Sequence, residues 1–374
     1  MGEAAARRWD VIVVGTGMAG AAVAHGLARR GMAVLMVEKG RHPRAKACGG
    51  CLHPRGVALM EEMGMGGLLP AARCDAVELR EPGAPIVRLP LGRPFRVVDR
   101  AVLDAAMVSA AVRAGAEYLC DCTVVGSSLA EGVRRVDCRA PGGGAMALRG
   151  ALVVAADGLN SVLARGAGLV RPARSWWRPK VGVSAEGEGP VSLDLSAITM
   201  LCAGWGYLGV VAMGAGRWHL AAAVQAGELA RHGTPGIIHA ALEQHGLAGM
   251  QLLEGTMATT PALTRRLARP WAERLLVVGD AAGYMEPITG EGMTWALAGA
   301  RAAVAAAAGG WHAGTGVEYA ARWRREVARR RRWVRLAAMV LDRPALRRVA
   351  WRLMAMGDAL PAMAGRMATG GPRS

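Results

Sequence analysis

The sequence predicts an α/β fold with three parts: a three-layer domain around a parallel sheet, an antiparallel β-sheet domain, and a helical C-terminal extension. Three observations predict it. The apolar runs VIVV, ALVVAA and RLLVV end at Gly15, at Asp157-Gly158 and at Gly279-Asp280, as buried parallel strands ending in functional loops do. Between Arg165 and Arg274, segments such as VSLDLSAITMLC and GYLGVVAMGAG are short, partly alternating and punctuated by glycine, which predicts antiparallel strands. From residue 315 to 367 apolar residues such as Val327, Trp333, Leu336, Met339 and Val340 recur at helical intervals, and Pro344 begins a new helix.

The first element is the most informative. Val11 to Val14 reads as a buried strand, followed by an alanine-rich helix to Arg30, a turn at Gly31 and a second strand from Ala33 to Val37. Gly15, Gly17 and Gly20 stand between strand and helix in G-x-G-x-x-G spacing, and Glu38 closes the unit about 20 residues on. This is a Rossmann-like dinucleotide site. Gly15 makes the tight turn, Gly17 admits a pyrophosphate to the backbone, and Gly20 lets helix and strand pack closely. Met18 and Ala19 open the helix, whose free N–H groups face the phosphates. Glu38 accepts hydrogen bonds from a ribose, with Lys39 beside it.

Composition excludes several classes. The chain has 374 residues, 52% of them hydrophobic, yet its most apolar helical run, Met293 to Trp311, is mostly alanine and carries Arg301. The opening MGEAAARRWD enters the first strand without the apolar stretch of a signal peptide, which predicts a cytoplasmic location. The net charge is +17, but only Lys39, Lys46 and Lys180 are lysine, so the arginine excess reads partly as coding bias. No nucleic-acid reader motif accompanies the charge. From His312 to Ser374, 14 arginines face Glu318, Glu326, Asp342 and Asp358, a net of +10.

The stretch KACGGCLHP, Lys46 to Pro54, has three readings: a redox dithiol, half a zinc site, or a loop that approaches something closely. A zinc site needs four ligands, and the sequence holds neither a second Cys-x-x-Cys nor a histidine pair near cysteine, so no metal is expected.

With ALVVAADGLNSVLAR and RLLVVGDAAGYMEPITGEGMTWALAGARAAVAAAA following the first unit in order, the chain resembles the flavoprotein superfamily of para-hydroxybenzoate hydroxylase and geranylgeranyl reductase. The resemblance spans roughly residues 10 to 310 and implies bound FAD. By the same resemblance Gly279 and Asp280 meet the ribityl or ribose part of FAD, Asp157 sits near the pyrophosphate, and Arg100 lies beside the phosphates. The PITGEG turn opens the helix at the flavin N1–C2=O edge, where its N–H groups stabilise the charge of two-electron reduction. Thr289, Gly290 and Gly292 allow close approach there, with Met293 next to them, and Glu291 complements the helix dipole. CGG then becomes a loop near the isoalloxazine ring. Cys48, Gly49 and Gly50 approach the ring, Arg44 and Lys46 neutralise phosphates, and Cys48 shapes the pocket or supplies a proton. Cys51 is an addition to the family pattern.

The resemblance assigns residues 1–74, 98–165 and 266–310 to a discontinuous FAD-binding domain and residues 75–97 and 166–265 to the antiparallel-sheet substrate domain. Residues 311–374 form the basic helical region. Trp176, Trp177, Trp205, Tyr207 and the methionines are candidates for an apolar pocket wall. The aromatic segment usual in geranylgeranyl reductases is reduced to Tyr207, and the tryptophan halogenase motif is absent. The expected function is an FAD oxidoreductase acting on an apolar lipid-like or polyketide-like molecule, with NAD(P)H as transient reductant because no second G-x-G-x-x-G follows an apolar strand. Monooxygenation is the first expectation, alkene reduction the second, electron transfer to a protein partner the third. The Arg329–Arg332 run suggests either a basic amphipathic helix on an anionic membrane or a solvated face.

Overall fold

The computed structural model describes residues 4, 6–140, 142–172, 180–284, 290–328, 334 and 343–369. It begins with β1 (Arg8–Val14), α1 (Met18–Ala28) and β2 (Val34–Val37). β1 and β2 pair in parallel, with Val11 opposite Val34. β1 starts earlier than its apolar run because Trp9 is buried between exposed Arg8 and Asp10. α1 is buried along its whole length. Small residues permit the closest contact: a Cβ on Gly26 would come within 2.8 Å of Val304 on a later helix.

Next come β3 (Cys51–Leu52), α2 (Pro54–Glu62), β4 (Arg73–Arg80) and β5 (Val87–Val97). α3 (Arg100–Arg113) is capped by the Asp99 carboxylate, which accepts from the N–H groups of Ala101 and Val102. β6 (Glu117–Leu119), β7 (Thr123–Ala130), β8 (Val133–Arg139) and β9 (Ala145–Ala155) follow, then the short α4 (Val162–Gly166). The middle of the chain holds β10 (Lys180–Glu188), β11 (Ala197–Ala203), β12 (Gly206–Gly214), β13 (Arg217–Gln225) and α5 (Ala226–Gln244). The chain continues with β14 (Leu275–Val277), α6 (Gly292–Ala307), α7 (Thr315–Trp323), α8 (Pro344–Ala355) and α9 (Ala359–Thr369).

The first sheet runs β14-β9-β1-β2-β6, every pair parallel. The first half of β9 also pairs antiparallel with β8, and β8 with β7. α1, α3 and α6 contribute to one apolar core. A second core, with Ile12, Leu35, Val153 and Leu275, fills the opposite face. Strand order reverses at β1, which lies between β2 and β9. The carboxyl ends of β1 and β9 therefore open a crevice of the kind in which doubly wound sheets bind ligands.

The second sheet runs β10-β13-β12-β11-β4-β5-β3. It is antiparallel except where β11 meets β4 in parallel, Ala197 opposite Ala76. That join makes residues 73–97 and 180–225 one surface. α5 covers one face, packing Ile237, Ile238, Ala241 and Leu242 among Leu201, Leu208 and Leu220. The strand-like reading of this region did not include α5. Gly233 and Pro235 interrupt its pattern, and the helix kinks at Gly233, whose φ is +65°.

The C-terminal helices return to β5. A Cβ on Gly365 would stand 2.0 Å from the Pro90 carbonyl oxygen, so α9 presses directly on the strand. Arg347 of α8 reaches Glu81 at 2.8 Å, and the Trp351 indole N–H donates to the Pro85 carbonyl at 2.9 Å. Arg329–Arg332, Trp333, Leu336, Met339 and Val340 lie outside the described residues, as do Trp176, Trp177 and Thr289. No described helix is long and apolar enough to cross a membrane.

Candidate active site

A cavity of about 750 Å³ begins in the β1/β9 crevice and continues to the second sheet. One end is lined by Gly15, Gly17, Met18, Ala19, Glu38 and Lys39, with Asp157, Gly279 and Asp280 beside them. Arg44, Lys46, Cys48, Gly49 and Arg100 line it further along, and Gly290, Gly292 and Met293 stand at the start of α6. The chain thus brings into one cavity residues that the sequence spreads over nearly 280 positions.

The three motif glycines differ in what they do. Gly15 has φ +90°, and a Cβ on it would lie 2.4 Å from the Ala156 carbonyl oxygen. Gly20 does not line the cavity. Its Cβ would stand 1.9 Å from the Gly15 carbonyl oxygen, which fits the helix–strand packing role. Gly17 does face the cavity, and a Cβ there would crowd Lys46 Nζ at 3.1 Å. The backbone of Gly17 and the lysine ammonium therefore face the same space, as a phosphate site requires.

Glu38 is 4% exposed and held from two sides. Its Oε2 accepts from the Thr16 N–H at 2.8 Å and hydroxyl at 3.1 Å, while Oε1 accepts from Arg44 at 3.2 Å. Burial works against its ionisation, but the Thr16 N–H, Arg44 and Lys46 outweigh burial and hold the carboxyl below its usual range.

Asp104 is the residue the motifs did not reveal. It lies on α3 at 0% exposure. Lys46 Nζ donates to its Oδ2 at 2.6 Å, and Arg100 grips both oxygens at 2.9 and 3.0 Å. Burial raises its pKa, but Arg100 and Lys46 more than reverse that and bring it to about 2. Lys46 and Arg100, expected simply to neutralise cofactor phosphates, are thus held by a shared carboxylate and present a net single positive charge. The i,i+4 spacing of Arg100 and Asp104 in DRAVLDAAM was the available signal.

Cys48 lies in the cavity wall. Burial lowers the Arg100 pKa, but Asp104 and, after it, Cys48 outweigh burial and hold the guanidinium above its usual value. His219 of β13 hydrogen-bonds the Cys48 carbonyl through Nε2. Gly49 faces open space, and a Cβ on it would meet nothing within 4 Å. Gly50 departs from the expected approach to a flat ring. It has φ +65°, does not line the cavity, and a Cβ on it would meet the His219 ring at 3.1 Å. Its role is to turn the chain against His219, which places Cys48 and Gly49. Cys51 forms part of β3 and packs with Cys74, Phe95 and Val97, and burial pushes its thiol well up. Both Cys48 and Cys51 are free. A buried, protonated Cys51 is poorly suited to thiol–disulfide exchange.

At the start of α6, Glu291 makes no side-chain capping bond and lies 3.7 Å from Arg55 instead. Gly290 has φ +65°, and a Cβ on Gly292 would come within 3.3 Å of the Tyr284 ring. Gly290, Gly292 and Met293 at the helix start line the cavity. Asp157 accepts from the Val162 N–H at 2.9 Å through Oδ2, while its buried Oδ1 has no partner among the described residues. Burial raises its pKa above the usual carboxylate value.

The far end of the cavity is apolar. Val77, Leu79, Leu89 and Leu91 line it from β4 and β5, and Ile198, Met200, Tyr207 and Val211 from β11 and β12. Of the aromatic candidates named above, Tyr207 lines the cavity, whereas Trp205 packs against the α5 core.

A family model described as an FAD binding domain matches residues 8–330. The chain belongs to this FAD-binding family. It is an FAD-dependent oxidoreductase. The cavity suits FAD on its own geometry: a glycine cradle that side chains would fill, an unpartnered carboxylate oxygen on Asp157, two helix N-termini, and Lys46 facing Gly17. The chain is similar to the digeranylgeranylglycerophospholipid reductase 2 of Methanothermobacter thermautotrophicus, with 27% identity over 339 residues, 86% of this chain and 85% of that one. It is also similar to the menaquinone reductase of Mycolicibacterium smegmatis, with 31% identity over 319 residues, 78% of this chain and 74% of that one. Among solved structures, a flavoprotein/dehydrogenase from Cytophaga hutchinsonii superposes with a TM-score of 0.82 at 17% identity, covering 97% of this chain and 93% of that one. That likeness shows the fold.

Proposed function

We propose that the enzyme reduces a carbon–carbon double bond in an apolar, lipid-like molecule, with NAD(P)H as the transient source of electrons. One observation carries this reading: the cavity lined by the cofactor residues is the same cavity that the aliphatic side chains of the second sheet line, with Cys48 in its wall. The reductase names borne by its relatives support it and put alkene reduction ahead of oxygenation, the first expectation from the sequence.

Bound FAD, once reduced by NAD(P)H, would supply a hydride to one alkene carbon. The other carbon needs a proton, and the residues of this chain decide where it comes from. Cys48 and Arg100 both line the cavity, so the thiol would give that proton and the guanidinium's positive charge would favour the thiolate that forms as it leaves. Gly15, Gly17 and the start of α1, together with Lys46 and Arg100, would hold the diphosphate. Glu38 would meet the ribose, and Asp157 and Asp280 would bond the polar chain between. The start of α6 at Gly290–Met293 would stabilise negative charge on the reduced ring. Val77, Leu89, Ile198 and Met200 would orient the substrate chain and exclude water. Its low solubility makes a lipid phase the natural source of such a molecule.

The test is product mass. Incubation with NADPH and polyprenyl lipids or a menaquinone is expected to give a product two hydrogens heavier, formed equally well without oxygen. A product heavier by one oxygen atom, formed only in air, would sink the reading and establish monooxygenation.

A further inference from the structure

The two C-terminal helices expose an apolar stripe with a regular period. Leu346, Val349, Leu353 and Met356 follow α8, and Leu360, Met363 and Met367 follow α9. Successive members are three or four residues apart throughout, so on each helix they share one face. Met356 is 82% exposed and Met367 64%. Single exposed apolar residues are ordinary, whereas a continuous stripe marks a contact surface.

The orientation of this stripe is fixed from the other side. Arg347 and Trp351 are buried on the opposite face of α8, tied to Glu81 and to the Pro85 carbonyl. On α9, Gly365 is pressed against Pro90, and the Ala368 carbonyl lies 2.7 Å from His53 Nε2. The stripe therefore cannot turn inward without breaking these contacts. Around it, Arg343, Arg348, Arg352 and Arg366 are exposed, and Asp358 is the one acid between residues 343 and 369.

We propose that α8 and α9 form the face on which this enzyme docks to an anionic lipid bilayer, lying flat with the stripe in the headgroup region. An apolar stripe bordered by arginines complements acidic headgroups over hydrocarbon. A second copy of the chain is a poor occupant. A two-fold contact would bring two arginine-bordered stripes together with one carboxylate each to offset them. The position of the cavity adds a purpose. Ala368 is exposed on α9 and also lines the cavity, so the mouth opens beside the docked face. An apolar molecule would pass from the bilayer to Leu89 and Leu91 under α9 without crossing water. This delivery step rests on the lipid-like substrate proposed above, and the docking itself does not.

The experiment is vesicle flotation of the FAD-loaded enzyme, read by protein and flavin rather than by turnover. The enzyme is expected to float with vesicles of phosphatidylcholine mixed with phosphatidylglycerol and to stay behind with phosphatidylcholine alone. Arg343→Gln with Arg352→Gln should weaken binding about 25-fold, at about fivefold per arginine. Met356→Glu with Met363→Glu should abolish it while flavin content and melting temperature hold, since both side chains are exposed. Failure of the wild type to float, or flotation that survives Met356→Glu with Met363→Glu, overturns the proposal. So does a concentration-dependent dimer that the same pair of substitutions dissolves, which would assign the stripe to a second copy. Flotation without reduction of vesicle-borne lipid leaves docking supported and counts against the proposed function instead.

Discussion

An Asp104→Ala enzyme is expected to lose on the order of 3–5 kcal/mol of folding stability and to purify largely without flavin. Asp104 is fully buried and is the shared partner of Lys46 and Arg100. Removing it leaves two cations close together in a low-dielectric pocket, facing one another instead of a common anion. Asp104→Asn keeps the volume and separates charge from packing, and added FAD should restore part of the loss because its diphosphate supplies negative charge nearby. The pH dependence has a definite sign. The carboxyl titrates at about 2 in the folded protein and at about 3.9 in an unfolded chain. Its stabilising contribution is therefore complete above the unfolded value and is lost as pH falls through the folded one. In urea unfolding, the gap between wild type and Asp104→Asn should stay constant from neutral pH to about 5 and shrink between about 4 and 2. A gap that does not change over that range would show that the charge is not what stabilises the site.

The second large effect is expected at Cys48. Cys48→Ala should lower alkene reduction about 10²- to 10⁴-fold, the usual worth of a positioned proton donor. Flavin content and the rate at which NADPH bleaches the flavin should remain close to wild type. This separation matters, because a merely structural role would move all three together. Cys48→Ser should recover part of the activity with an altered pH profile. Equal loss of flavin binding and turnover in Cys48→Ala would remove the thiol from the chemistry and leave it as packing.

The parts of the molecule that could be read in the sequence are those where backbone geometry dictates residue type. Gly15 needs a positive φ and Gly20 leaves no room for a methyl group, so the nucleotide motif was visible without any tertiary knowledge. Buried parallel strands such as β1 and β2 announce themselves as unbroken apolar runs. Side chains whose meaning depends on a distant partner were not legible. Asp104 looked like one helix residue among others until Lys46, 58 positions away, closed on it. His219 sits in a strand of the second sheet, 171 positions from the Cys48 carbonyl it bonds. Gly50 appeared to belong with Gly49 because the two are adjacent, yet one packs on His219 and the other faces the cavity. α5 escaped because Gly233 and Pro235 break its periodicity within a region of short strands. The stripe on α8 and α9 was present as a pattern, but only burial of Arg347, Trp351 and Gly365 shows which face it occupies.

The central claim is that one cavity brings the flavin and an apolar alkene together so that electrons pass directly between them. Anaerobic stopped-flow mixing of the reduced enzyme with detergent-dispersed polyprenyl lipid or menaquinone tests it most directly. The account predicts that the oxidised flavin spectrum returns without oxygen, at a rate that rises with substrate and stalls in Cys48→Ala. A flavin that stays reduced with every such substrate, and reoxidises only when oxygen is admitted, would contradict it.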